Sequence, residues 1–204
     1  MGGSEILVLG DSWADFSDQA FATYCQSSRV VNIGIGGSRA DQWAGAGTYT
    51  SMIPTAFQDI KAAGRTFSHV WMSLGGNDAL FNANCGAAIT PTIPQRLGAV
   101  ITHIINSAAA QGNTHVKVII TGYCMPTGPA GGCTTVSSAA TWLDPVNGAF
   151  AGTFAAFEVS HPGRVIYADI HTTCGGTQSA WSPAGMHIDL IHISNKGCTP
   201  ASAL

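Results

Sequence analysis

Four short segments carry residue types that could perform acyl-transfer chemistry. Near the amino end, Gly10-Asp11-Ser12-Trp13 sets a serine where the apolar run Ile6-Leu7-Val8-Leu9 gives way to a helix-like stretch. A serine at a strand-to-helix turn exposes its hydroxyl at the carboxyl end of the strand, with its backbone N–H near the positive end of the helix dipole. Taken alone, the same residues make an ordinary helix cap, a position that Asp and Ser favour. Near the carboxyl end, Asp189-Leu190-Ile191-His192 places a carboxylate three residues before an imidazole. On one turn of helix those positions share a face, so Asp189 could orient His192 and leave its other ring nitrogen free. An imidazole of pKa about 6.5 is suited to take a proton from a serine and return it to a leaving group. The plainer reading is a surface turn with an Asp cap and an incidental histidine.

Two further segments could supply donors for a developing oxyanion. In Asn32-Ile33-Gly34-Ile35-Gly36-Gly37-Ser38, Gly37 could offer a backbone N–H with no side chain blocking a substrate. In Gly75-Gly76-Asn77-Asp78, Asn77 carries a neutral amide donor. One such donor typically contributes about 3–4 kcal/mol of transition-state stabilisation. Each segment is equally readable as a glycine-bearing turn. A dinucleotide-binding reading of the 34–37 glycines fails on spacing, and the segment follows the second strand candidate rather than the first.

Several neighbours compete for roles. Asp169, at the end of the fifth strand candidate, is the rival to Asp189 as orienting acid. His187 stands two residues before Asp189, which turns it away on a helix and toward the same side in an extended segment. His69, His103, His115 and His161 lack motif context and default to structural or solvent-facing roles. Trp71 and Trp142 fall on a strand and a helix and are expected in the core. Trp13, Trp43 and Trp181 flank the chemical segments and form a candidate substrate pocket, with core packing as the open alternative.

The elements that must position these residues alternate along the chain. Strand candidates are Glu5–Leu9, Arg29–Ile33, His69–Leu74, Val116–Thr121 and Arg164–Ala168. Helical stretches are expected near Asp15–Cys25, Thr50–Ala63, Pro94–Ala110 and Ala139–Val159. In the third of these, Leu97, Val100, Ile101, Ile104, Ile105 and Ala108 recur at helical spacing. Continuous apolar runs such as Val118-Ile119-Ile120 suit strands covered on both faces, as in a parallel sheet. Glycine-rich loops are expected at 34–49, 75–93, 122–138 and 171–187, and in such sheets chemistry gathers at the strands' carboxyl edge.

Composition narrows the function classes. The 204 residues are 46% apolar, with 9% charged and a net charge of −3; mean hydropathy is +0.21. Ordinary soluble domains carry about 25% charged residues, so this surface must rest on neutral polar groups. No basic run offers a footprint for nucleic acid or an anionic membrane. No apolar stretch approaches the roughly 18 residues of a transmembrane helix. Six cysteines, at 25, 85, 124, 133, 174 and 198, favour disulfides and a secreted protein over free thiols or a zinc site. Cys124 with Cys133, and Cys174 with Cys198, are pairings the spacing allows, without selecting them. Residues 1–4, Met-Gly-Gly-Ser, read as an added start in place of a removed leader, and 1–204 as one catalytic domain.

The four segments, in this order, resemble the SGNH hydrolases, the GDSL-type lipases and esterases. Gly10-Asp11-Ser12 matches the first motif, with Trp13 where the family name has leucine. Asn32, Gly34 and Gly37 match the second, Gly75, Asn77 and Asp78 the third, and Asp189 and His192 the fourth. The resemblance reaches from residue 5 to about 198 and implies an α/β fold: a single flavodoxin-like, three-layer α/β/α domain whose five-stranded parallel sheet has the order 2-1-3-4-5. It implies Ser12 as nucleophile, His192 as base, Asp189 behind it, and an oxyanion hole from the Ser12 and Gly37 N–H groups and the Asn77 amide. The expected function is a serine esterase acting through an acyl-enzyme on short-chain acyl or O-acetyl esters, carbohydrate esters included. No metal or cofactor and a monomeric state are expected. Acyl transfer by the same residues, or a silent carbohydrate- or partner-binding module on the same fold, are the alternatives.

Overall fold

In the computed structural model, residues 5–17, 21, 29–80, 92–124, 128 and 135–170 are described. The first strand, β1 (Glu5–Gly10), is almost continuously buried, as a strand covered on both faces must be. It pairs in parallel with β2 (Arg29–Asn32) on one side and β3 (Phe67–Ser73) on the other. β4 (Lys117–Thr121) follows β3, and β5 (Val165–Ala168) closes the far edge. The sheet is five-stranded and all-parallel, in the order β2-β1-β3-β4-β5. The expected topology is therefore the observed one, and every strand lies within two residues of its expected bounds.

Side-chain alternation splits the sheet into two packed faces. Leu7, Leu9, Val70 and Met72 point into the main core. There they meet α2 (Met52–Ala62) through Ile53, Phe57 and Ile60, and α4 (Thr92–Ala110) through Leu97, Ile101 and Ile104. The long α5 (Val136–Ser160) joins them through Leu143, Val146 and Phe150. It runs through Pro145, which lacks the N–H to continue the helical ladder; burial of the flanking apolar residues carries the helix across. On the opposite face Val8 lies in register with Trp71, and the Phe21 ring meets Trp71 edge-on at 5.4 Å. Trp71 is half-buried there, while the side chain of Trp142 lies outside the described residues.

Two expectations need correction. The strand-to-helix turn at Ser12, expected to precede the first helix, itself holds the short helix α1 (Ser12–Asp15), because the Asp11 carboxylate accepts the Trp13 N–H at 3.0 Å and starts it directly after the strand. Most of the helix expected near Asp15–Cys25 lies outside the described residues. The span 75–93, expected as loop, contains the short helix α3 (Gly76–Leu80). Gly75 makes the sharp turn, at φ +110, that lets α3 follow β3 almost without a connection.

Candidate active site

The sheet order reverses between β1 and β3, and there the outgoing connections diverge and leave a crevice at the carboxyl edge. The turn after β1 sits at that point. Gly10 has φ +141, and a Cβ placed on it would stand 2.0 Å from the Ser73 carbonyl oxygen. Only glycine lets β1 end so close to β3, and the Asp11 N–H then donates to that same oxygen at 2.8 Å. Ser12 follows as the first residue of α1, half-buried, with its N–H among those that a helix leaves without an internal partner.

The turn after β2 is tied to the same place. The Ile35 N–H and the Ser38 hydroxyl both donate to the Gly10 carbonyl, at 2.8 and 2.9 Å. The Trp43 indole N–H donates to the Ser38 hydroxyl at 3.0 Å, so Ser38 is held from both sides. Asn32 fastens this turn to α1: its Oδ1 accepts the Gly34 N–H at 2.8 Å and its Nδ2 donates to the Ala14 carbonyl at 2.9 Å. Gly37 has φ +75 with no heavy atom within 4 Å of where a Cβ would stand. It is needed for its left-handed backbone, and the space beside it is open.

The turn after β3 completes the set. The Asn77 side chain donates to the Ser38 carbonyl at 3.0 Å, linking α3 to the turn that holds Gly37. The buried Asp78 carboxylate accepts the Ala40 N–H at 2.8 Å and the Arg96 guanidinium at 2.7 Å. Ser12, Gly37 and Asn77 thus stand on three neighbouring turns, cross-tied through the Gly10 and Ser38 main chain. Neutral N–H donors of this kind can stabilise an oxyanion without introducing a charge beside a serine hydroxyl.

Beneath the Ser12 turn lies a polar cluster that the sequence did not reveal. The Tyr123 phenol, on the chain leaving β4, donates to Oδ2 of the buried Asp11. Oδ1 of Asp11 accepts the Trp13 N–H and the Ser73 hydroxyl, the latter at 3.1 Å. Burial, and next the Asp11 carboxylate beside it, push the Tyr123 phenol well above its ordinary range; hydrogen bonds from Ser73 and the Gly76 main chain oppose this only in part. The phenol therefore keeps its proton and stays a donor. Asn147 of α5 grips the Tyr123 main chain twice, accepting its N–H at 2.8 Å and donating to its carbonyl at 3.1 Å. The only signal in the sequence was a tyrosine just past a strand end.

Other expected site residues divide between core, edge and undescribed chain. Trp13 and Trp43 are both buried core residues, the packing alternative of the two open to them. The Trp13 ring stands edge-on to Tyr123 at 4.9 Å. Asp169 is exposed one residue past β5. Its charge, after burial, raises Tyr167 to about 12. His103 bonds the Thr50 carbonyl and His69 the Ser68 hydroxyl, both at 2.9 Å, which are structural roles. Asp189, His192, Trp181 and His187 lie outside the described residues, as do all cysteines except the buried Cys124. No helix among the described residues is long and apolar enough to cross a membrane.

An all-parallel sheet of this order, with its polar turns knitted together at the switch point, defines a flavodoxin-like α/β protein whose chemistry belongs at that edge. The chain belongs to the GDSL-like lipase/acylhydrolase family, whose sequence profile matches residues 2–199. It is accordingly a hydrolase of the class that acts on esters. No curated protein matches it in sequence. Among solved structures it is similar to a carbohydrate acetylesterase from Sinorhizobium meliloti, at 16% identity and a TM-score of 0.59, covering 96% of this chain and 93% of that one. A family 3 carbohydrate esterase from Clostridium thermocellum superposes with a TM-score of 0.58 at 14% identity, covering 96% and 90%. An extracellular lipase from Streptomyces rimosus gives 0.56 at 16%, covering 97% and 95%. At these identities the likeness is one of fold.

Proposed function

We propose that the protein is a serine esterase that cleaves carboxylic esters through an acyl-enzyme. The observation that carries this reading is the position of Ser12 at the switch point, between the Gly37 and Asn77 turns and tied to both through Gly10 and Ser38. In the proposed reaction Ser12 Oγ attacks the acyl carbon and passes its proton to His192, with Asp189 holding the imidazole. The oxyanion accepts hydrogen bonds from the Ser12 and Gly37 N–H groups and the Asn77 amide. An amide has two N–H hydrogens; the Ser38 carbonyl takes one of Asn77's and so sets the direction of the other. Collapse of the intermediate expels the alcohol with the proton from His192, and water repeats the sequence to release the acid. Every proton and charge in this cycle is handled by side chains and backbone, so the reading calls on neither metal nor cofactor.

Short acyl groups, O-acetyl esters of carbohydrate among them, are the proposed substrates, and the protein is proposed to be a secreted monomer with disulfides. The low content of charged residues, the six cysteines and the carbohydrate-esterase folds it resembles support this. The test is p-nitrophenyl acetate hydrolysis by the wild type and Ser12→Ala. Turnover is expected to vanish in the variant while its circular dichroism stays native, and substantial residual turnover would refute the assignment. Activity should rise with pH through the lower neutral range as His192 loses its proton; a flat profile would count against His192. Acetyl, butyryl and octanoyl esters beside acetylated xylan rank the substrates, with acetyl expected first.

A further inference from the structure

We infer that Tyr123 is a positioning residue for this reaction: its phenol locks the turn that carries Ser12 to the helix that carries Asn77. The inference rests on the reaction proposed above. Two contacts of one side chain carry it. On one side the hydroxyl donates to Asp11, whose other oxygen accepts the Trp13 N–H and so fixes the first turn of α1 around Ser12. On the other side the ring lies directly against the start of α3, where a Cβ on Gly76 would stand 2.7 Å from the ring carbon Cζ. Ser12 and Asn77 come from different strand ends, yet both are referenced to this ring.

The ring itself has little freedom. Trp13 stands edge-on to it at 4.9 Å and Phe150 closes on it at 5.8 Å. Asn147 holds its main chain through two hydrogen bonds, and Gly122 makes room for that grip, since a Cβ there would stand 2.7 Å from Asn147 Oδ1. Donors aimed at an oxyanion work only at a fixed spacing, about 2.7–3.1 Å from the charge that forms. Substrate binding in the ground state does not demand that alignment. Loosening the lock should therefore slow the chemical step and leave binding nearly untouched.

Tyr123→Phe keeps the ring and removes the bond to Asp11. Active sites are titrated with a fluorophosphonate, and kcat per labelled serine and KM are measured with p-nitrophenyl acetate. We expect kcat per site to fall roughly ten- to a hundredfold, with KM within about twofold of wild type. A purely structural role would reduce the number of titratable sites and leave kcat per site unchanged; that result, or a loss confined to KM, would overturn the inference. If Tyr123→Phe does not fold, Asn147→Ala carries the same test, because it frees the Tyr123 main chain and leaves the phenol in place. The same fall in kcat at constant KM is expected there, and wild-type kcat per site would be the overturning result. Ser12→Ala is assayed alongside. Retained turnover in it would sink the proposed reaction; lost turnover beside unchanged kcat in Tyr123→Phe would sink the positioning role alone.

Discussion

The Asn77 side chain donates to the Ser38 carbonyl across 3.0 Å, and the two residues come from turns after different strands, β3 and β2, on either side of β1. The bond bridges the end of β1, where Ser12 stands. It makes Asn77 part of the same rigid rim as Gly37, and several consequences can be measured.

Asn77→Ala should lower kcat by about a hundred- to a thousandfold, the usual cost of one oxyanion donor, with KM changed only a few-fold. Steady-state kinetics on p-nitrophenyl acetate checks this. An effect seen only in KM would mean that Asn77 holds the substrate uniformly and does not favour the transition state.

Gly10→Ala should destabilise the fold itself. The added Cβ would meet the Ser73 carbonyl oxygen at 2.0 Å, and φ +141 is a strained backbone for alanine. The clash is with main chain, which cannot swing aside. A loss of at least about 3 kcal/mol is expected, seen as a Tm lower by roughly 6–12 °C in a calorimetric scan. A wild-type Tm would show that the β1–β3 approach is looser than described.

Asp78→Asn tests the clamp between α3 and the turn after β2. The wild-type carboxylate takes the Ala40 N–H on one oxygen and Arg96 on the other; an amide can serve only one of them and turns an NH2 toward the second. With the carboxylate fully enclosed, the expected loss is about 2–4 kcal/mol, or roughly 5–15 °C in Tm. Arg39→Ala is the contrast, because the side chains of the Arg39–Asp41 pair at 3.2 Å stay 41% and 35% exposed, against none for Asp78, and the pair should be worth under about 1 kcal/mol. Equal losses in the two variants would contradict the distinction.

Alkaline stability should depend on Tyr123. Its phenol is held well above the 10.0 of an ordinary tyrosine, and Tyr167 is raised to about 12. A raised pKa in the folded state means that the unfolded chain loses these protons first. The stability is fully present below about pH 10 and drains away as pH rises from there through the folded-state values. Tm against pH should therefore bend downward above about 10 in the wild type, and less steeply in Tyr123→Phe. Parallel curves for the two proteins would remove Tyr123 from the explanation.

How much of this was legible in advance follows from what local sequence encodes. The inner strands β1 and β4 were readable because a strand covered on both faces needs a continuous apolar run, and Ile6-Leu7-Val8-Leu9 and Val118-Ile119-Ile120 are such runs whatever surrounds them. Helix α4 was readable for the same kind of reason, its apolar residues repeating at the helical period. Ser12, Gly37 and Asn77 could be picked out because a residue that must sit at a strand end has neighbours, glycines above all, shaped by the turn. Helix α3 was missed, since Gly75-Gly76 reads as a breaker until Gly75 is seen making the turn and Gly76 seating α3 against a tyrosine ring. The indoles of Trp13 and Trp43 were ambiguous because a large aromatic beside a chemical motif has the same sequence signature in a pocket wall as in a core.

The sequence by itself determined the five strands, their all-parallel character and which strand ends run into polar, glycine-bearing turns, since each of these depends on residues within a turn or two of one another. Only the tertiary structure decided which of those ends meet. Asp11 and Tyr123 are 112 residues apart, and nothing in either segment specifies the other. Their hydrogen bond exists because β3 lies between β1 and β4 and ends in glycines that leave room for the ring, a consequence of strand order that no local pattern encodes.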